Sequence, residues 1–124
     1  MKIYIAGPIS GTTDYEERFE EAERAIQRKG HEAINPVHIR SVIETVGANA
    51  IRYDKLMNIC KALVDACEEI YMRTGWQRSN GARQEHDEAV NHGLKFFASM
   101  AAIPETDAAR AERLRKYRQE EGTK

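Results

Sequence analysis

Short apolar segments alternate with longer amphipathic ones through most of the chain. Residues Lys2–Ala6 are rich in Ile and Tyr and run into Gly7-Pro8, which predicts a buried strand. Apolar residues then recur at three- and four-residue spacing, which predicts a helix over about 14–29 that ends at Gly30. The same patterns predict strands near 31–35, 69–72 and 94–97 and helices near 50–67 and 81–92. The segment at 37–50 is ambiguous: its apolar residues suggest a short helix, and Gly47 suggests a break.

Strands that alternate with helices indicate βαβ units and a parallel sheet. We therefore expect an α/β fold with four to five parallel strands in one domain, residues 1–103. Residues 104–124 are rich in Ala and Arg, and a charged helix is expected at 105–121. Its apolar stripe is thin, so this tail is expected to be peripheral or to make subunit contacts.

Composition narrows the class of protein. The 124 residues carry 19 Lys and Arg against 20 Asp and Glu, a formal net charge of −1. Near-neutrality argues against binding nucleic acid or anionic membranes by bulk charge. No apolar run approaches the roughly 18–20 residues that span a bilayer. Two cysteines make no disulfide framework, so a reduced, cytoplasmic protein is expected.

Cys60 and Cys67 fall on the apolar stripe of a predicted helix, and both are interpreted as core thiols. The histidines show no metal-ligand spacing with each other or with the cysteines. We therefore expect neither a metal nor an organic cofactor.

Two loops have unusual composition, and in a parallel sheet both would lie at the ligand-binding carboxyl edge. Glycines and hydroxyls in the first would let backbone N–H groups approach an anion at the start of the next helix. An ordinary tight turn explains the same composition. This loop has the sequence Gly7-Pro8-Ile9-Ser10-Gly11-Thr12-Thr13.

The second loop precedes the helix at 81–92. Ser79 or Asn80 can cap that helix. Glu85 lies at the edge of its inward stripe and is expected to be partly in water, either as a nucleophile or acid/base or as a solvated flank residue. Trp76, the single tryptophan, is either a stacking surface for a flat ligand or a hydrophobic plug.

Two passages of the chain are distinctive together: residues 1–11, MKIYIAGPISG, and residues 70–86, IYMRTGWQRSNGARQEH. They resemble the nucleoside 2-deoxyribosyltransferase superfamily. Within the superfamily, the likeness is to small bacterial and phage proteins related to deoxynucleoside 5′-monophosphate N-glycosidases. The resemblance covers roughly residues 1–97.

The resemblance implies a flavodoxin-like three-layer sandwich and cleavage or transfer of an N-glycosidic bond. It assigns Glu85 as the nucleophile and Tyr4 as the residue that orients its carboxylate. It assigns binding of the sugar or its 5′-phosphate to the first loop, Gly7, Pro8, Ile9, Ser10 and Gly11, with Ser79 and Gly81. We expect Trp76 to line the same site.

One position departs from the family pattern. The family places an aspartate where this chain has Cys60, and the nearest upstream acid is Asp54. Either Asp54 takes the catalytic role through a shifted helix, or the acid is missing. The family also closes its site with C-terminal residues of a neighbouring subunit, and no residue here can be assigned that role.

The sequence therefore favours an enzyme acting on a nucleoside or nucleoside 5′-monophosphate, and the hydroxyls of Ser10, Thr12 and Ser79 suit a phosphate. Two other classes stay open: a non-catalytic nucleotide-binding or sensing protein, and an interaction protein that uses its charged tail. A homo-oligomer, dimer or higher, is expected because the family is oligomeric and a short sheet leaves edges uncovered.

Overall fold

The computed structural model describes residues 1–9, 13–47 and 51–122. Strands and helices alternate through most of the chain, as the hydrophobic pattern predicts. The elements are Lys2–Ala6 (β1), Tyr15–Arg28 (α1), Glu32–Ile34 (β2), Val37–Val46 (α2), Tyr53–Asp65 (α3), Glu69–Met72 (β3), Asn80–Asn91 (α4), Lys95–Phe97 (β4) and Asp107–Gly122 (α5).

The strands form one parallel sheet in the order β2-β1-β3-β4. The chain leaves β1 towards β2 on one side and later returns to add β3 on the other. The crevice at the carboxyl ends of β1 and β3 is therefore the topological switch point, where ligands bind in open parallel sheets.

Side chains of β1 alternate between two core clusters, one on each face of the sheet. Ile3 and Ile5 pack on the face covered by α1, together with Phe19 and Ile26. Tyr4 and Ala6 pack on the opposite face, where α3 and α4 lie. The chain is thus an α/β three-layer sandwich of the flavodoxin-like kind, and the predicted fold class is confirmed.

The ambiguous segment after Pro36 forms a helix, α2, that ends before Gly47, as its apolar residues suggested. The Asn35 side chain accepts a hydrogen bond from the Val37 backbone N–H at the start of this helix. Helix α3 begins at Tyr53, a few residues later than the apolar pattern predicts.

Helix α5 follows the sheet and lies apart from the core. Its described side chains are exposed or half-exposed, and Thr106 caps its first turn by accepting a hydrogen bond from the Ala109 N–H. No helix in the described part of the chain has the length and apolar character needed to cross a bilayer.

Candidate active site

A cavity opens at the carboxyl end of β1, between the loop after that strand and helices α2, α3 and α4. Its volume is about 90 Å³, and a single water needs roughly 10–15 Å³, so it holds several waters or part of a small ligand. The lining residues are Gly7, Ile9, Phe19, Pro36, Arg40, Tyr53, Leu56, Met57, Cys60, Ser79, Gly81, Ala82 and Glu85.

Glu85 is a buried carboxylate in this otherwise largely apolar cavity. It is only 7% exposed, and the Tyr4 hydroxyl donates a hydrogen bond to its Oε2. Tyr4 is fully buried in β1, on the face of the sheet that α4 covers. The central strand and the helix together therefore fix the orientation of the carboxylate.

Burial and hydrogen bonding act on Glu85 in opposite directions. Burial raises the pKa of Glu85 to about 7, because the charged form loses its hydration, while the hydrogen bond from Tyr4 lowers it. Burial also raises the pKa of Tyr4 well above its ordinary value. Tyr4 is therefore the proton donor in the pair, and Glu85 gains or loses its proton near neutral pH.

Helix α4 positions Glu85 through its amino-terminal cap. The Ser79 hydroxyl accepts a hydrogen bond from the Ala82 N–H at 3.2 Å, so the helix begins at Asn80. Gly81 and Glu85 then lie four residues apart on one face of the helix. Ser79, Gly81 and Glu85 thus lie on one wall of the cavity.

Helix α3 forms the facing wall with residues spaced at three and four positions. Tyr53, Met57 and Cys60 line the cavity. Asp54 does not, because it lies about 100° around the helix from Tyr53. Its side chain is 58% exposed and pairs with Arg52 at 3.3 Å, so this placement gives no support to the catalytic role expected for Asp54.

The part of the chain that forms this cavity matches a family model. The family described as Domain of unknown function (DUF4406) matches residues 1–98. The chain belongs to this family. A search of curated proteins found no match.

The DUF4406 match includes every residue that lines the cavity, but the predicted binding residues do not all lie there. Gly7, Ile9, Ser79 and Gly81 line it. Pro8 is not among the lining residues. Ser10 and Gly11, with Thr12, fall outside the described residues.

Trp76 also lies away from the cavity lining. Its ring stacks on His86 with a centroid distance of 4.5 Å and meets Phe96 edge-on, beside the core cluster that α3 and α4 cover. These contacts match the alternative of a hydrophobic plug, and they do not bring Trp76 to the predicted ligand.

The interpretation of Cys60 as a core thiol is wrong. Cys67 belongs to the core, as expected, but Cys60 is half-buried and lines the cavity beside Tyr4. Burial raises the pKa of Cys60 to about 11, so its thiol is neutral at pH 7. The helical stripe could not separate the two cysteines, because core and cavity face the same side of α3.

Two arginines near the crevice were missed by the sequence argument. Arg40 of α2 lines the cavity, and Arg73 follows β3 with its guanidinium 4.7 Å above the Phe19 ring. A Cβ built on Gly7 would come within 2.8 Å of the Arg73 Cβ, so the first residue of the loop must be glycine. Arg40 lies in the ambiguous segment, where the few apolar residues suggested a short helix but did not show that Arg40 faces the cavity.

A group with potential metal ligands lies outside the cavity, where α3 and α4 end. Ligand atoms of Asp65, Glu88 and His92 all lie within 4.8 Å of one another. His92 Nδ1 is 3.2 Å from the Asp65 carboxylate and 3.6 Å from that of Glu88. These distances describe a polar surface cluster of one histidine and two carboxylates.

Proposed function

We propose that this protein cleaves or transfers the N-glycosidic bond of a nucleoside or nucleoside 5′-monophosphate, with Glu85 as the nucleophile. The observation that carries the proposal is the buried Glu85 carboxylate, held by the Tyr4 hydroxyl in a cavity at the switch point of the sheet. The sequence resemblance to nucleoside 2-deoxyribosyltransferases supplies the reaction class. A positioned carboxylate suits that class because it can trap or stabilise an oxocarbenium-like sugar.

In the first step, a Glu85 oxygen bonds to the anomeric carbon of the sugar. The bond from that carbon to the base nitrogen breaks, and the electron pair leaves with the base, which takes up a proton from solvent. Water then attacks the anomeric carbon of the glycosyl ester, which releases the sugar and a proton and regenerates the carboxylate. If a second base attacks in place of water, the protein is a transferase.

The ionised form of Glu85 is the one that attacks. Because burial raises the pKa of Glu85 to about 7, we expect turnover to increase as the pH rises through about 7. The Tyr4 hydrogen bond favours the ionised form and fixes which oxygen faces the substrate.

A non-catalytic nucleotide-binding or sensing protein is the second candidate function. Glu85 is the only carboxylate among the described residues that line the cavity. The neutral thiol of Cys60 lies where the nucleoside 2-deoxyribosyltransferase superfamily has an aspartate. A protein with this cavity could bind a nucleotide without protonating its base.

Chromatography for free base tests the first candidate. Wild type, Glu85→Gln and a matched control, Glu17→Gln on the exposed face of α1, are incubated with nucleosides and their 5′-monophosphates. We expect base release by wild type and by Glu17→Gln, and a loss of at least about 10³-fold in Glu85→Gln. Absence of free base from every substrate with wild type would contradict catalysis.

Thermal melting with the same ligands separates the two candidates. An increase in melting temperature without base release supports binding or sensing. Melting that no ligand changes, together with no release of base, would contradict both.

We also propose that the chain forms a homo-oligomer. Strands β2 and β4 are the outer strands of the sheet, and Phe96 of β4 is 40% exposed. Among the described residues, the outer side of β4 pairs with no other strand, so it offers backbone groups and an aromatic side chain to a partner. Sedimentation velocity tests this; a single species with the mass of one chain would contradict it.

A further inference from the structure

Three side chains that can bind a metal ion converge where α3 and α4 end, at the opposite end of both helices from the cavity. Asp65 is the last residue of α3, and Glu88 and His92 lie four residues apart at the end of α4, on one face of that helix. One ligand atom from each side chain lies within 4.8 Å of the other two. This trio combines one histidine with carboxylates from two helices, so the lack of histidine and cysteine spacing in the sequence did not exclude it.

The distances within the trio suit a tetrahedral zinc ion. Zinc binds carboxylate oxygen and imidazole nitrogen at roughly 2.0–2.2 Å, so two ligands on such a tetrahedron are roughly 3.3–3.6 Å apart. His92 Nδ1 is 3.2 Å from an oxygen of Asp65 and 3.6 Å from an oxygen of Glu88. Both carboxylates therefore already lie at nearly the distance from the imidazole nitrogen that a shared zinc ion requires.

The electrostatic surroundings of the trio favour a cation. The carboxyl ends of α3 and α4 carry the partial negative charge of the helix dipoles, and Asp65 and Glu88 add two carboxylates there. Within the described part of the chain, neither carboxylate has a Lys or Arg within ion-pair distance, and each pairs only with His92. A divalent cation would neutralise this local concentration of negative charge.

His92 can offer a nitrogen lone pair to such an ion. Its Nδ1 lies 3.0 Å from the backbone carbonyl oxygen of Glu88, to which it can donate a hydrogen bond when it carries the ring proton. Transfer of that proton to Nε2 gives the other neutral tautomer and makes Nδ1 a ligand. The side chains of Asp65 and His92 are 36% and 49% exposed, so an ion can enter from solvent and keep a water as its fourth ligand.

We propose that Asp65, Glu88 and His92 form a zinc site that joins the ends of α3 and α4. The site is separate from the cavity, and the proposal does not depend on the proposed function. A nitrogen ligand favours zinc over Mg²⁺ and Ca²⁺, which prefer oxygen ligands. Because the ligands come from two helices, zinc bound here should stabilise the folded chain.

Zinc titration of the untagged, metal-free protein tests the proposal. Competition with a chromophoric chelator measures affinity and stoichiometry for wild type and for Asp65→Asn, Glu88→Gln and His92→Gln, which nearly preserve side-chain size. His38→Gln is the matched control, because His38 is an exposed histidine that contacts the carboxylate of Glu23 alone. Thermal melting of every variant without metal verifies that it is folded.

We expect wild type and His38→Gln to bind a single zinc ion per chain, and zinc to raise the melting temperature of both. Each of the three ligand variants should bind zinc at least about 10-fold more weakly, since even a partner that only orients a metal ligand is worth about 10- to 100-fold. Excess Mg²⁺ or Ca²⁺ should not displace the zinc. Unchanged affinity in any of the three ligand variants, or no zinc binding by wild type, would overturn the proposal.

Cobalt substitution separates this site from the thiols of Cys60 and Cys67, which are also potential zinc ligands. Tetrahedral Co²⁺ bound by nitrogen and oxygen absorbs strongly in the visible range but lacks the near-ultraviolet charge-transfer band of a cobalt–thiolate bond. We expect this thiolate-free spectrum in wild type and in His38→Gln, and its loss in His92→Gln. A cobalt–thiolate band would place the ion on a cysteine and overturn the proposal.

Discussion

At the scale of single residues, burying Glu85 lowers the stability of the folded protein, and favourable packing elsewhere in the fold must compensate. A carboxylate that is 7% exposed loses most of its hydration, and one hydrogen bond from Tyr4 restores only part of it. Sequence reasoning placed Glu85 at the edge of the inward stripe and partly in water. It could not reveal the burial, because the residue that covers and orients the carboxylate comes from β1, far away in the sequence.

The stability of the protein should therefore fall as the pH rises from about 4.5 to about 7. In this range the folded protein keeps the Glu85 proton, whereas the unfolded chain loses it. Burial raises the pKa of Glu85 from 4.5 to about 7, which corresponds to on the order of 3 kcal/mol of destabilisation above pH 7. Below about pH 4.5 both states hold the proton, and the cost disappears.

Glu85→Gln removes this titration, so its free energy of unfolding should exceed that of wild type above pH 7 and approach it below pH 4.5. Denaturant unfolding across this pH range measures both curves. Glu17→Gln, in the exposed part of α1, should follow the wild-type curve. Parallel curves for Glu85→Gln and wild type would show that Glu85 titrates alike in the folded and unfolded chains.

At the scale of elements, helices α3 and α4 form the two cavity walls, and they differ in how far the sequence predicted them. Helix α4 was predictable because a serine cap, an inward stripe and a final glycine all lie within one short segment. On α3, the apolar stripe correctly predicted a buried face. It did not reveal that one part of that face contacts the core at Val64 and another part lines the cavity at Cys60.

Replacing Cys60 with aspartate tests the function of the α3 wall. Two neighbouring carboxylates hold a proton more strongly than either would alone, so Cys60→Asp should supply the acid that the leaving base needs. Under the proposed function, we expect turnover of nucleoside 5′-monophosphates to rise by about 10²-fold. Base release under single-turnover conditions measures the effect.

Cys60→Asn is the matched control, because it has nearly the same shape as aspartate but no acidic proton, and its turnover should not rise. A folded Cys60→Asp protein with no more activity than Cys60→Asn would show that this position does not limit the reaction. That result would favour a sensing role or an acid supplied from elsewhere.

At the scale of the whole molecule, the structural core extends past the end of the family match. The match ends at residue 98, yet Ile103 is 1% exposed and packs with Ile3, Ile5 and Phe19 under α1. Lys29 Nζ donates hydrogen bonds to the backbone carbonyls of Met100 and Ile103, which fasten this segment to the end of α1. Helix α5, by contrast, has no buried side chain among its described residues.

A truncation after Thr106 should therefore leave the core almost as stable as in the full chain, because surface groups seldom contribute more than about 0.5 kcal/mol each.

Ile103→Ala in the full chain should lower the free energy of unfolding by about 2–5 kcal/mol, since it leaves a cavity in a packed cluster. Denaturant unfolding measures both, and Leu114→Ala in α5 is the control for an exposed apolar residue. A truncated protein destabilised as much as Ile103→Ala would show that α5 is packed in solution, against the body or against a second copy. Sedimentation velocity on both lengths distinguishes these cases, because only packing between copies changes the number of chains in the particle.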